Sequence, residues 1–124
     1  MTENPTKSAD DVVILSGART PQGRMLGQLA SLTAVDLGAH AIRNAVERSG
    51  AKLEDVDRVI LGQVIQSGVG QNPARQASIK AGLPWTTPAE SVNKVCLSGR
   101  RIVSTQAPLN VELKAAAGGT LQLQ

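Results

Sequence analysis

Short apolar runs alternate with helix-like segments along this chain, and this alternation is the feature that most constrains its fold. The runs 12–15, 59–65 and 91–95 are typical of strands, and the first is continuous enough to be buried on both sheet faces. Strand, helix, strand, helix, strand is the order of a right-handed parallel α/β sheet. We therefore predict an α/β fold with a mainly parallel sheet and flanking helices.

Two segments between these runs have the start and stop signals of helices. Range 33–49 begins with a capping-box pattern, in which Asp36 stands three residues after a threonine, and Gly50 follows as its stop. Range 72–81 begins with Asn-Pro, which suits a helix cap and first turn, and Gly82 follows it. Both ranges are predicted helices.

The chain divides by composition into three parts. Residues 1–11 are polar and of mixed charge, and we expect a flexible segment there. Residues 12–99 contain the predicted strands and helices. Residues 100–124 have no sustained periodicity, with Pro108 and a Gly-Gly pair as breakers, so a poorly ordered, irregular tail is expected.

Composition excludes several classes of function. The chain has 124 residues and a net charge of +3, with its basic residues spread along the sequence. Trp85 is the only aromatic residue, so base stacking on nucleic acid is excluded. No stretch approaches a membrane span, and a single cysteine rules out an intrachain disulfide. We expect a cytoplasmic protein with neither nucleic-acid nor membrane partners.

Most motif-like features have ordinary structural interpretations. The turn Gly68-Val-Gly70 resembles half of a dinucleotide-binding loop, but Pro73 stands where the third glycine belongs. His40 is alone in the middle of its helix, which favours a residue without a chemical role. One cysteine and one histidine cannot build a metal site, so we predict no metal and no bound cofactor.

Cys96 is the residue with a chemical argument. It stands at the end of the third predicted strand, and the small residues Ser98 and Gly99 allow a sharp turn into a helix. At a helix N-terminus, unpaired backbone N–H groups favour the thiolate, the form that attacks a thioester carbon. From the residues alone, an inert buried cysteine remains the alternative.

Five separated segments resemble the thiolase family of acetyl-CoA acetyltransferases and ketoacyl-CoA thiolases, in the family's order and spacing. They are Gly-Ala-Arg-Thr-Pro-Gln-Gly-Arg at 17–24, Ala-Val-Asp-Leu-Gly at 34–38, Val-Ile-Leu-Gly-Gln-Val at 59–64, Gly-Gln-Asn-Pro-Ala-Arg-Gln at 70–76 and Asn-Lys-Val-Cys-Leu-Ser-Gly at 93–99. The resemblance implies a partial thiolase-like N-terminal domain over residues 12–99.

The resemblance also implies a reaction. Cys96 would be the nucleophile that takes an acyl group from a coenzyme A thioester, as in an acyltransferase of fatty acid metabolism. The acyl-enzyme would then react with a second acyl-CoA or with coenzyme A. The Cys96 backbone N–H would contribute to the oxyanion hole, a role that fits a helix N-terminus.

Departures from the family pattern limit this expectation. A Gly-His-Pro segment and a Cys-x-Gly-Gly-Gly segment, which supply the family's histidine and second cysteine, do not occur in these 124 residues. The sequence after Gly99 also departs from the family's central apolar helix, which suggests a truncated fragment with weak or absent activity. The alternative is a non-catalytic module that associates with itself or with a full-length thiolase through uncovered apolar faces and an unpaired sheet edge.

Overall fold

A computed structural model describes residues 12–99, 102, 112–116 and 120–123 of the chain. The predicted flexible segment 1–11 lies outside the described residues. No helix in this described part is both long and apolar enough to cross a membrane. In chain order the strands and α-helices are β1 (Gly17–Ala18), α1 (Ala34–Ser49), β2 (Arg58–Gln63), α2 (Pro73–Ala81), β3 (Ala89–Asn93), β4 (Glu112–Ala116) and β5 (Thr120–Leu123).

Helix α1 forms where its capping signals predict it. The Thr33 hydroxyl accepts the Asp36 N–H at 3.1 Å, and the Asp36 carboxylate accepts the Thr33 N–H at 2.8 Å. These reciprocal bonds satisfy backbone donors that the first turn leaves unpaired. At the other end Gly50 adopts a left-handed conformation with φ of 75°, which a glycine permits without steric cost. The predicted helix 33–49 is confirmed, with Thr33 as its N-cap.

Helix α2 is confirmed over nearly its whole predicted range. The Asn72 side chain accepts the Arg75 N–H at 3.2 Å, and Pro73 occupies the first turn. Asn72 also donates to the Ala89 carbonyl at 3.1 Å, which ties the start of α2 to β3. The helix ends at Gly82, where φ is 100°. Local signals therefore determine where both helices begin and end.

The described strands form one five-stranded sheet in the order β1-β5-β4-β2-β3. Strand β2 pairs in parallel with both β3 and β4, whereas β5 runs antiparallel to both β1 and β4. Four strands consequently share one direction, and the prediction of a mainly parallel α/β sheet is confirmed. Strand β3 lies at an edge of the sheet.

Strand β2 separates two sides of the molecule. Successive side chains of a strand point to opposite faces, so Val59 and Leu61 share one face and Ile60 and Gly62 the other. Val59 and Leu61 belong to the apolar cluster that α1 and α2 form on the sheet, and all four positions are buried. The Gly62 position faces the segment that follows β3. The two faces of β2 thus support two different parts of the fold.

The predicted first strand is wrong in its location and burial. Residues 12–15 are not in a strand, and their exposed fractions lie between 46 and 59%. Only Gly17 and Ala18 pair, and their partner is β5. An apolar run shows that a segment can be buried on both faces, but burial also requires strand neighbours and covering layers, and the described residues supply neither at 12–15.

Within residues 100–124, for which we expect an irregular tail, the structure describes one helical residue and two short strands. Ile102 is helical and 2% exposed, and strands β4 and β5 occupy nine of the later positions. Long-range pairing of β4 with β2 overrides the weak local propensity of an alanine-rich segment. A missed signal was present, because Gly118-Gly119 between two short runs is a hairpin pattern.

Candidate functional site

Cys96 lies on a short turn immediately after β3. Val95–Leu97 forms a one-turn 3-10 helix, and Ser98 and Gly99 continue in helical conformation. The thiol is free and exposed to solvent. Burial of this cysteine, which the residues alone left as the alternative, is therefore inconsistent with the structure.

The backbone of this turn is unusual at Val95, whose φ is 52°. A β-branched residue rarely adopts the left-handed region, which costs roughly 1–2 kcal/mol for an L-amino acid. The Leu97 N–H donates to the Lys94 carbonyl at 3.1 Å and closes the turn. Among the described residues, the Cys96 N–H donates no backbone hydrogen bond outside the helices and strands. That N–H is consequently available as a hydrogen-bond donor.

Two polar side chains connect this turn to the end of β2. Ser98 is 3% exposed, and its hydroxyl lies 2.7 Å from the Gln63 carbonyl and accepts the Lys94 N–H at 2.9 Å. Asn93 accepts the Val95 N–H at 2.9 Å through its side-chain oxygen and donates its amide to a carbonyl just beyond β2. From the sequence, Ser98 is expected to help the turn by its small size, and no separate role is expected for Asn93.

Gly62 allows β2 to approach closely the turn of residues 94–98, which contains Cys96 and is called the cysteine turn below. A Cβ atom at this position would lie 2.9 Å from the Ser98 Cβ and 3.3 Å from the Gly99 nitrogen, too close for a side chain without movement. A glycine in the interior of a strand is a recognised sign of such backbone approach. That signal was present in the sequence and could have identified the contact.

His40 lies on the other side of the sheet from this turn. It projects from α1, which packs on the Leu61 face of β2, and its ring nitrogen is 3.4 Å from the Asn44 amide. It also lines an open cavity of about 340 Å³ between α1 and the loop before it. The structure therefore does not bring His40 to Cys96.

The same cavity contains an ion pair between Asp36 of α1 and Lys80 of α2. The Lys80 ammonium, together with the Thr33 hydroxyl and N–H, holds the pKa of the Asp36 carboxyl well below its ordinary value. Arg43 donates to the Lys80 carbonyl at 2.9 Å and adds a second link between the helices. These groups neutralise one another's charges and form hydrogen bonds with one another. We therefore assign the cluster a structural role.

Neither metal binding nor the turn at 68–70 adds a reactive group to this part of the chain. In the described part of the chain, no group of three His, Cys, Asp or Glu side chains is placed to hold a metal ion. In the turn at 68–70 both glycines have positive φ, and the Gln76 amide donates to the Val69 carbonyl at 3.0 Å. This turn is thus held by its own neighbours in the chain.

Comparison with protein families shows that the turn containing Cys96 lies within a known domain. The family model described as the thiolase N-terminal domain matches residues 12–112, which extends beyond Gly99, the predicted end of the resemblance. An acetyl-CoA acetyltransferase of Cupriavidus necator is 56% identical over 97 residues, covering 78% of this chain and 25% of that protein. A cytosolic acetyl-CoA acetyltransferase of Gibberella zeae is 52% identical over 113 residues, covering 88% and 28%.

Solved structures agree with these sequence relatives. An acetyl-CoA acetyltransferase from Syntrophomonas wolfei superposes with a TM-score of 0.75 at 34% identity, over 82% of this chain and 27% of that one. A thiolase from Ascaris suum in complex with coenzyme A gives a TM-score of 0.71 at 39% identity, over 73% and 24%. The chain spans about a quarter of the length of these relatives.

Proposed function

Since this chain belongs to the thiolase family, we propose that Cys96 accepts an acyl group from a coenzyme A thioester. The observation that carries the proposal is the exposed thiol on a strained turn, beside its own N–H, which donates no backbone hydrogen bond outside the helices and strands of the described residues. Relatives named acetyl-CoA acetyltransferases favour acetyl-CoA as the donor. The reaction class is acyl transfer between coenzyme A thioesters, within fatty acid metabolism.

The first step is a thioester exchange. The Cys96 thiolate attacks the thioester carbonyl carbon, a carbon–sulfur bond to Cys96 forms, and the bond to the coenzyme A sulfur breaks. Coenzyme A leaves as a thiolate and takes a proton from solvent. In this proposal the Cys96 N–H donates to the oxyanion that develops on the carbonyl oxygen. A second acyl-CoA or coenzyme A would then remove the acyl group.

We expect acylation by these 124 residues to be slow and turnover to be weak or absent. The one histidine of the sequence is His40, and it lies across the sheet from Cys96. No second cysteine is available to move the substrate proton. Proton transfer by a positioned side chain typically contributes about 10²–10⁴-fold to a rate, and this contribution is missing here.

Intact-mass spectrometry after incubation with acetyl-CoA tests the proposal. A hydroxylamine-sensitive acetyl adduct should form on the chain and be lost in Cys96→Ala. Because the sequence has one cysteine, a thioester adduct has one place to form. An equal adduct on both proteins contradicts the assignment of Cys96. Rapid coenzyme A-dependent cleavage of acetoacetyl-CoA that is lost in Cys96→Ser would contradict the expected weak or absent turnover.

Exposed apolar side chains favour a second candidate function, that of a non-catalytic interaction module. Residues 12–15 form a continuous exposed apolar segment, and Ile65 and Trp85 are 78% and 74% exposed. Apolar surface of this kind is stabilised by association with another chain. The candidate partners are a second copy of this chain and a full-length thiolase.

We also propose a cytoplasmic location. An exposed thiol that must remain reduced to act as a nucleophile suits a reducing compartment. Relatives include both a cytosolic and a mitochondrial acetyl-CoA acetyltransferase, so subcellular fractionation is the appropriate test. Recovery of the chain in an organelle fraction would contradict the proposal.

A further inference from the structure

We propose that Ser98 is a positioning residue for Cys96, an inference that rests on the proposed function of that cysteine. In this role the Ser98 hydroxyl anchors the turn of residues 94–98 to the carboxyl end of β2. The anchored turn fixes where the sulfur and the Cys96 N–H stand relative to an incoming thioester.

The hydrogen bonds of Ser98 are placed for this role. Its hydroxyl is 2.7 Å from the Gln63 carbonyl on β2 and 2.7 Å from the Val95 carbonyl, and it accepts the Lys94 N–H at 2.9 Å. A hydroxyl has one proton, so it donates to one of the two carbonyls at a time. Because Ser98 is 3% exposed, water cannot readily replace these bonds.

The turn that Ser98 anchors is strained and therefore requires support. Val95 has a φ of 52°, and its N–H is fixed by the Asn93 side chain at 2.9 Å. Ser98 supplies the corresponding support on the other side of Cys96. Strained residues persist where the surrounding structure overdetermines them, and they cluster at functional sites.

Close contact with β2 makes the anchor rigid. Because Gly62 has no side chain, the Ser98 Cβ and the Gly99 nitrogen can lie close to its backbone. Movement of this turn away from the strand would lengthen the 2.7 Å hydrogen bond between Ser98 and Gln63. Acyl transfer depends on such rigidity, because a displacement of about 1 Å at a reacting group can cost on the order of 10²-fold in rate.

The test compares Ser98→Ala with Ser78→Ala in the full chain. Ser78 is a matched control, since it is also fully buried and its hydroxyl bonds a backbone carbonyl, that of Arg75 at 2.9 Å, but it lies in α2. Two rates are measured for each protein, acetylation of Cys96 by acetyl-CoA and alkylation of Cys96 by iodoacetamide. Alkylation of an exposed thiol needs no oriented N–H, so it reports reactivity without positioning.

We expect Ser98→Ala to lower the acetylation rate by about 10- to 100-fold while alkylation stays within about twofold of the wild-type rate. Ser78→Ala should leave the ratio of the two rates unchanged. If Ser98→Ala lowers both rates together, or lowers neither, the inference is overturned while the proposed function stands.

Absence of acetylation in the wild-type chain would overturn the proposed function. Amide hydrogen exchange at Lys94, whose N–H bonds the Ser98 hydroxyl, then decides whether Ser98 anchors the turn. Faster exchange at Lys94 in Ser98→Ala than in Ser78→Ala supports an anchored turn. Equal exchange in the two variants overturns it.

Discussion

Gly62 shows at the scale of a single residue how packing restricts sequence at this site. Its position on β2 allows the backbone after β3 to lie against the strand, and no other residue type fits that space without movement. The cysteine turn therefore depends on a residue that has no side chain and carries no chemistry.

Gly62→Ala should destabilise the fold. The added methyl would lie 2.9 Å from the Ser98 Cβ, and overpacking of this kind costs about 1–3 kcal/mol. Urea denaturation followed by circular dichroism measures the change in the free energy of unfolding.

A double variant tests the stated cause of this cost. Ser98→Gly removes the atom nearest to the new methyl, so Gly62→Ala should cost less in the Ser98→Gly background than in the wild-type chain. Additive costs in the two backgrounds would show that the predicted contact is not the source of the destabilisation.

At the scale of elements, the start of α1 combines local and long-range interactions. The reciprocal bonds between Thr33 and Asp36 are local, whereas the ion pair with Lys80 joins α1 to α2. The same carboxylate thus caps one helix and orients it against another.

Thr33→Ala should lower the free energy of unfolding by about 1 kcal/mol, because the first turn of α1 loses its side-chain acceptor. Thr33→Ser keeps a hydroxyl that caps as well as threonine does, and it should restore most of the loss. Thermal unfolding of the three proteins measures the effect. A Thr33→Ser variant as unstable as Thr33→Ala would contradict the capping explanation.

The stability contributed by Asp36 should disappear on acidification. The Lys80 ammonium and Thr33 hold the pKa of this carboxyl below its ordinary value, so the folded state binds its proton less readily than the unfolded state does. Its contribution is therefore full above the ordinary pKa and is lost as the pH falls toward the lower folded-state pKa.

Lys80→Met should raise the pKa of Asp36 toward its ordinary value and reduce the loss of stability between about pH 5 and about pH 3. Urea midpoints across this range measure the loss. Lys52→Met is the control, because Lys52 is exposed and forms no ion pair within the described residues. Equal acid sensitivity of the two variants would contradict the role given to Lys80.

At the scale of the whole molecule, the chain covers one part of the thiolase fold. The chain aligns with about a quarter of the length of each relative. Its apolar side chains at 12–15 are exposed in the structure. Apolar area removed from water contributes roughly 25 cal/mol per Å², which favours association at high concentration.

Sedimentation velocity should show an average mass that rises with protein concentration. Ile14→Lys should shift this rise to higher concentrations, because it places a charge within the exposed segment 12–15. Ser67→Lys is the control, because it adds the same charge at an exposed polar position outside that segment. A monomer at every concentration would contradict the interaction-module hypothesis.

Interactions close in sequence made much of this fold predictable. The boundaries of α1 and α2 follow from caps and glycines within a few residues of each helix end, and the apolar run of β2 is visible by inspection. Cys96 was also identified from its neighbours in the chain, although its role as a nucleophile stays a prediction.

Tertiary structure alone decided the rest, because it depends on residues far apart in sequence. The Ser98 hydroxyl reaches the Gln63 carbonyl across 35 positions, and β4 becomes a strand by pairing with β2. Residues 12–15 remained exposed for the same reason, since burial needs neighbours that periodicity cannot supply. The sequence thus determined where the thiol and the helices lie along the chain, and long-range packing determined what supports them.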